Sequence, residues 1–197
     1  MSLYSYIPLP SEFENVGAAS PAQKLVFLKA LTPIHAGVGR GALEHVDLPV
    51  QRDEFGFPCI WASSFKGAVR GTLTRLSKDD TCLMVALGPP PQQAHEHSSA
   101  ANFLDARLLF VPARSLKSVW TYVTSPHLIG YLKTYLEALG AAAKAGELEK
   151  RLSTLKLPAL SKKDILLDGK TAVLNELDVS AATVDEKLPD NLFGGLL

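Results

Sequence analysis

Apolar residues follow two rhythms along this chain. LVFLKALTPI, residues 25–34, is a mostly apolar, partly β-branched run closed by Pro33, as expected of a buried strand. FLDARLLFVPA (103–113) and KSVWTYVTS (117–125) read as two further strands. The helical rhythm begins after Pro58, where Ser63 or Ser64 offers a helix start and Phe65, Val69, Leu73 and Leu76 recur at spacings of four, four and three. Lys66 and Arg70 lie one turn apart on another face of that helix, so their cationic heads project side by side. The clearest helix is HLIGYLKTYLEAL (127–139), with Leu128, Tyr131, Leu132, Tyr135, Leu136 and Leu139 on one face.

The segments between these runs carry the opposite signals. Residues 1–24 contain Pro8, Pro10 and Pro21 among small and polar residues and read as a poorly ordered N-terminal arm. Residues 35–58 hold Gly37, Gly39, Gly41, Gly56, Pro49 and Pro58, too many breakers for a helix or a long central strand, and are expected to be a long loop. Residues 78–102, with three consecutive prolines, read as a surface loop insertion. AAAKAGELEKRLSTLKLP suggests a further helix or helical linker, TAVLNELDV (171–179) a weak strand, and the ending DNLFGGLL no element of its own. The resulting order, βαββαβ with long loop insertions, is an α+β domain over residues 25–197 whose closing strand can only be 171–179. Gly67 and Gly71 should weaken the first helix by roughly 1 kcal/mol each relative to alanine. Their presence suggests that something approaches its backbone closely.

Composition narrows the class. The chain has 197 residues, 47% hydrophobic and 20% charged, with a net charge of zero, which excludes wholesale disorder, collagen and coiled coil. No apolar stretch approaches the ~20 residues of a membrane span, and MSLYSYIPLPSEFENVG lacks the regions of a secretory leader, so a cytoplasmic protein without a membrane partner is expected. Cys59 and Cys82, without CxxC spacing, fit a reducing compartment. Neutrality is partly a cancellation. Residues 63–117 hold seven Lys/Arg against four Asp/Glu, and residues 171–197 hold five acids against Lys187.

The candidate chemistry gathers in the loop and the helix after it: His35, Gly37, Gly39, Arg40, Gly41, Asp47, Gln51, Arg52, Lys66 and Arg70. Glycines admit close backbone approach and paired cations neutralise phosphate oxygens, so this reads as a phosphate-backbone site. A connector beside a solvated helix face would carry the same pattern. GVGRG is neither a Walker loop nor a dinucleotide fingerprint. Asp47 can bind a divalent cation, accept a proton or simply form an Asx-turn before Pro49, and His35 can act as a base near neutral pH or merely as a hydrogen-bonding group. His95 and His97 lack a third metal ligand, and Trp61, Trp120, Tyr122, Tyr131 and Tyr135 can stack on bases but at these spacings read mostly as core.

LTPIHAGVG (31–39), VDLPVQR (46–52), GFPCIWASSFKGAVRG (56–71), LDARLLFVPARSLKSVWTYVTSP (104–126) and VLNELDV (173–179) occur in the order seen in RAMP-superfamily proteins. Over roughly residues 25–180 the set resembles the repeated backbone subunit of type III-B CRISPR effectors, the fourth subunit of the Cmr complex. That resemblance implies a ferredoxin-like, RRM-related core whose copies form a filament along a guide RNA (crRNA), beside other Cmr subunits. It implies an endoribonuclease that cuts the paired target RNA at regular intervals, with Asp47 as the catalytic residue and possible ligand of a divalent ion, Mg or Mn. It carries guide binding over to His35, Gly37, Ser64, Lys66 and Arg70, with Arg52 and Arg114 as further backbone contacts. Two other readings remain: a structural RNA-binding subunit that does not cut, and a metal-independent guide-processing nuclease using His35. Beside the family the chain is expected to be short at its C-terminal end.

Overall fold

A computed structural model of the chain describes residues 22–39, 49–76, 80–93, 95–181 and 183–195. Asp47 and most of the expected N-terminal arm lie outside these residues. The described residues divide into two compact units, the first within Leu28–Arg107 together with Ala22, the second within 108–195 together with Gln23–Phe27.

In the first unit, α1 (Ala62–Leu76) and α2 (Asp80–Leu87) pack on each other. The predicted stripe of α1 supplies buried Leu73 and half-buried Val69, which close on Leu83, Ala86, Leu87 and Phe103. Phe65 meets Phe103 edge to face at 5.6 Å, and Leu76 at the end of the stripe is exposed. Part of the segment expected to be a surface loop is therefore helix α2 with a buried face. DTCLMVAL is apolar almost throughout, so it shows no amphipathic period and its helix was not visible as one.

The second unit is built on β1 (Val111–Ser115), β2 (Val119–Val123), β4 (Thr171–Leu174) and β5 (Leu177–Ser180), an antiparallel sheet in the order β2-β1-β4-β5. Between β1 and β4 in sequence lie α3 (Pro126–Ala138), α4 (Ala142–Thr154) and β3 (Ala159–Leu160). β6 (Thr183–Val184) pairs with β3 in parallel, and α5 (Leu188–Phe193) follows. Ser125 caps α3, its Oγ accepting from the Leu128 amide at 3.3 Å, and Pro126 occupies the first turn, where its missing N–H costs nothing. Ile129, Leu132 and Leu136 of α3 pack against Ala145 and Leu148 of α4 and Leu192 of α5. One sheet face buries Ala113, Ala172 and Leu174 on Ile165 and Leu166.

The mixed α+β class with an antiparallel sheet agrees with the sequence reading, and several elements differ. Residues 25–34 pair with no strand among the described residues and are mostly exposed. Apolar, β-branched composition makes a strand only where a partner's backbone completes the ladder, and no such pairing among the described residues reaches this stretch. The single expected strand 171–179 is a hairpin turning at Asn175 and Glu176, with Asn175 at φ 53°, a left-handed conformation that asparagine tolerates. The ending expected to carry no element contains α5.

Candidate functional site

In the first unit the chain 36–38 lies beside 49–51, with the Val38 amide on the Pro49 carbonyl at 3.0 Å and the Gln51 amide on the Ala36 carbonyl at 2.8 Å. The 49–53 segment turns back on itself. Asp53 Oδ1 accepts from the amides of Phe55 at 2.9 Å and Phe57 at 2.8 Å, and Gly56 at φ 84° makes the turn that a residue with a Cβ would strain. The returning chain bonds the Gln51 carbonyl through the Cys59 amide at 3.0 Å, then exchanges both hydrogen bonds between Ile60 and Ala106.

Gln51 joins these pieces. Its side chain is buried, 2% of the residue being exposed. Its Nε2 donates to the Gly37 carbonyl at 2.9 Å and to Ser64 Oγ at 2.6 Å, and its Oε1 accepts from the Trp61 amide at 2.7 Å. Both amide hydrogens and the amide oxygen are used, which is what makes a buried glutamine tolerable. One residue on, the Ala62 amide donates to Asp105 Oδ1 at 2.7 Å. The start of α1 is therefore satisfied by two side chains distant in sequence rather than by Ser63 or Ser64, with Asp105 placing negative charge at the positive end of the helix. Arg107 reaches Glu54 at 2.7 Å, Asp53 at 3.4 Å and Asp105 at 3.9 Å. The hydrogen bond from Arg107 holds the Glu54 carboxyl below its ordinary value, and burial pushes the Cys59 thiol up.

Of the residues singled out from sequence, His35, Gly37 and Ser64 come together around Gln51. The exposed His35 ring lies over Gly37, where a Cβ would sit 3.5 Å from its Nε2. Arg52 is exposed and donates to the Gly56 carbonyl at 2.7 Å. Lys66 and Arg70 turn toward the segment around α2 instead of standing free: Lys66 donates to Ser99 Oγ at 2.7 Å, and Arg70 donates to the carbonyls of Leu87 and Gly88. A guanidinium there satisfies the last carbonyls of α2 and sits at the negative end of its dipole. Nothing among the described residues lies within 4 Å of the Cβ positions of Gly67 and Gly71, so the chain's own described residues make no close approach to them.

Arg114 belongs to the second unit, on the open face of β1, and its guanidinium has no partner among the described residues. Asp47 lies outside them. No group of three or more His, Cys, Asp or Glu among the described residues could hold a metal ion. Sequence reasoning placed Gln51 in the candidate set without a role of its own and did not single out Asp105 or Arg107 as site residues, because their partners are remote in the chain. It also took Trp120 and Tyr122 mostly for core, although their alternation in KSVWTYVTS puts both on one strand face.

A family model for the RAMP superfamily matches residues 27–195. The chain belongs to the RAMP superfamily. Among proteins similar to this RAMP chain, the CRISPR system Cmr endoribonuclease Cmr4 of Pyrococcus furiosus is 38% identical over 157 residues, covering 79% of this chain and 51% of that protein. The CRISPR system CMR subunit Cmr4 of Saccharolobus solfataricus is 32% identical over 183 residues, covering 88% and 58%. The chain thus spans little more than half the length of these relatives. Among solved structures, a chain of the type III-B Cmr-beta complex bound to cognate target RNA superposes with a TM-score of 0.61 at 30% identity, covering 79% of this chain and 57% of that one. Oligomeric Cmr4 from Pyrococcus furiosus gives 0.58 at 28% identity, covering 82% and 56%. Among the described residues no helix is long and apolar enough to cross a membrane.

Proposed function

We propose that this RAMP chain is a repeated backbone subunit of a cytoplasmic type III-B CRISPR effector, holding guide RNA and cutting the paired target RNA at regular intervals. The observation that carries the reading is the 38% identity over 157 residues to a protein named as a Cmr endoribonuclease. The likeness to a chain from a complex bound to cognate target RNA supports it. In this reading the α+β fold is the ferredoxin-like, RRM-related core, and its partners are crRNA, target RNA, further copies of the chain in a filament and other Cmr subunits. Sequence recognition falls to base pairing, so the protein needs only to grip the guide backbone.

The cut is a transesterification: a target 2′-oxygen forms a bond to its own phosphorus, the bond to the 5′-oxygen breaks, and the 2′-proton is taken up as the leaving oxygen gains one. Asp47 acts at the 2′-hydroxyl as base or ion ligand. A divalent cation, Mg or Mn, belongs to the same reading, although the described residues alone do not build a site for it. Gln51, four residues after Asp47 in sequence, ties the 36–37 chain to the 49–51 segment and to the start of α1.

The test is Asp47→Ala in the assembled complex. Guide binding is expected to stay near wild type while the regularly spaced products fall by at least ~10²-fold, the scale of a lost acid–base group. Unchanged cleavage would overturn the assignment, and chelation of divalent ions in the same assay tests the metal.

A further inference from the structure

We propose that the open face of the β1–β2 hairpin in the second unit is a stacking platform for single-stranded RNA bases, formed by Trp120 and Tyr122 with Arg114 as its phosphate contact. The inference rests on the RNA-binding reading above and adds RNA contacts carried by the second unit.

The side-chain period of a strand sorts the residues. Val123 and Ala113 pack into the buried cluster of Ile165, Leu166, Ala172 and Leu174, so Trp120, Tyr122, Pro112 and Arg114 point the other way. On that face Trp120 is 52% and Tyr122 50% exposed, unusual for rings that ordinarily bury most of their area. Neither the indole N–H nor the phenol O–H makes a hydrogen bond among the described residues.

The rings are held in place. Trp120 meets Tyr122 edge to face with centroids 4.9 Å apart, Tyr122 meets Phe110 at 6.4 Å, and Phe110 meets Phe193 of α5 at 5.9 Å. The row leans on α5 at one end and stays open at the other. With centroids 4.9 Å apart and ring planes nearly perpendicular, the pair forms a corner in which a base stacked on the face of one ring meets the edge of the other.

Charge selects the occupant. Arg114 lies directly across from Trp120 in the β1–β2 register. Its guanidinium is uncommitted among the described residues, whereas Arg52, Lys66, Arg70 and Lys117 donate to internal acceptors and Arg107 is ion-paired. The acid on this face, Asp178, sits on β5 at the opposite edge of the sheet. A free cation beside two amphipathic rings suits an anionic strand with unstacked bases. A duplex hides its base faces, and an acidic peptide has no use for the rings.

The experiment measures oligouridylate binding by tryptophan fluorescence in a Trp61→Phe background, where Trp120 is the remaining tryptophan of the two in the chain. Single-stranded oligouridylate is expected to quench the signal. In a label-based assay, Trp120→Ala and Tyr122→Ala should each weaken binding about tenfold, within the range for one lost base–aromatic stack. Arg114→Ala should lower the salt dependence by about one phosphate. Duplex RNA should leave the fluorescence unchanged. The proposal is overturned if oligouridylate does not quench, if duplex quenches equally, or if Trp120→Ala removes concentration-dependent self-association without weakening RNA binding. That last outcome would make the face a contact between chains. The functional reading is judged separately, by the Asp47→Ala cleavage pattern, so either can fail alone.

Discussion

Replacing Gln51 with leucine isolates the role of the hub. The two side chains are of similar size, so the change removes polarity without leaving a large void. It deletes the bonds to the Gly37 carbonyl, Ser64 Oγ and the Trp61 amide, and leaves those groups to find water. Gly37 and Ser64 are half-buried and Trp61 is 39% exposed, so solvent recovers part of the loss. At about 1 kcal/mol for each lost bond, the first unit should lose about 3 kcal/mol, a substantial part of the ~5–15 kcal/mol that holds a typical domain together. With two units in the chain, a single unfolding midpoint would blur the effect. Native-state hydrogen exchange resolves it: the amides of Val38, Cys59 and Trp61 should exchange roughly a hundredfold faster, while those of Leu132 and Leu148 in the second unit stay as they were. Acceleration below about threefold, or equal acceleration in both units, would refute the hub. Gln51→Glu supplies a check of sign. Burial raises the folded-state pKa of the new carboxyl above its unfolded value, so the variant should be closest to wild type in acid and lose stability as pH rises through that folded pKa.

At Gly37 the backbone is not left-handed and an added Cβ would make only ordinary contacts, so Gly37→Ala should change stability by no more than about 0.5 kcal/mol in chemical denaturation. A loss of RNA affinity in the assembled complex would then report contact rather than folding. Arg70→Ala withdraws both donations to the end of α2 and should cost about 2 kcal/mol, read as faster exchange of the Leu83 and Leu87 amides. Unaltered exchange there would show that α2 does not depend on this cap. Asp168 accepts from the amides of Lys170 and Thr171, which hold its carboxyl below the ordinary value. Its contribution to the β4–β5 hairpin should be present above the unfolded pKa and disappear as pH falls through the lower folded one. Amide shifts of Lys170 and Thr171 should follow that titration in the wild type and not in Asp168→Asn.

Sequence by itself determined what depends on a short window. The apolar stripes of α1 and α3 appear at their expected positions, because a helix closes its hydrogen bonds within four residues and its buried face follows from spacing alone. The strand β2, the α+β class and the motifs that place the chain in its superfamily were legible for the same reason, whereas of the strand expected over 103–113 only residues 111–113 lie in β1. Tertiary structure decided what depends on a distant partner. Residues 25–34 have strand composition but pair with no strand among the described residues, and α2 has no amphipathic period yet packs on α1. Lys66 and Arg70 have the look of phosphate contacts and are engaged by Ser99 and the end of α2. Gln51 belongs to the candidate set on sequence grounds but has no role until Gly37, Ser64 and Trp61 converge on it, and Trp120 and Tyr122 are core or surface only according to which sheet face is covered. Spacing states which residues share a face, whereas what that face meets is set by long-range pairing and burial.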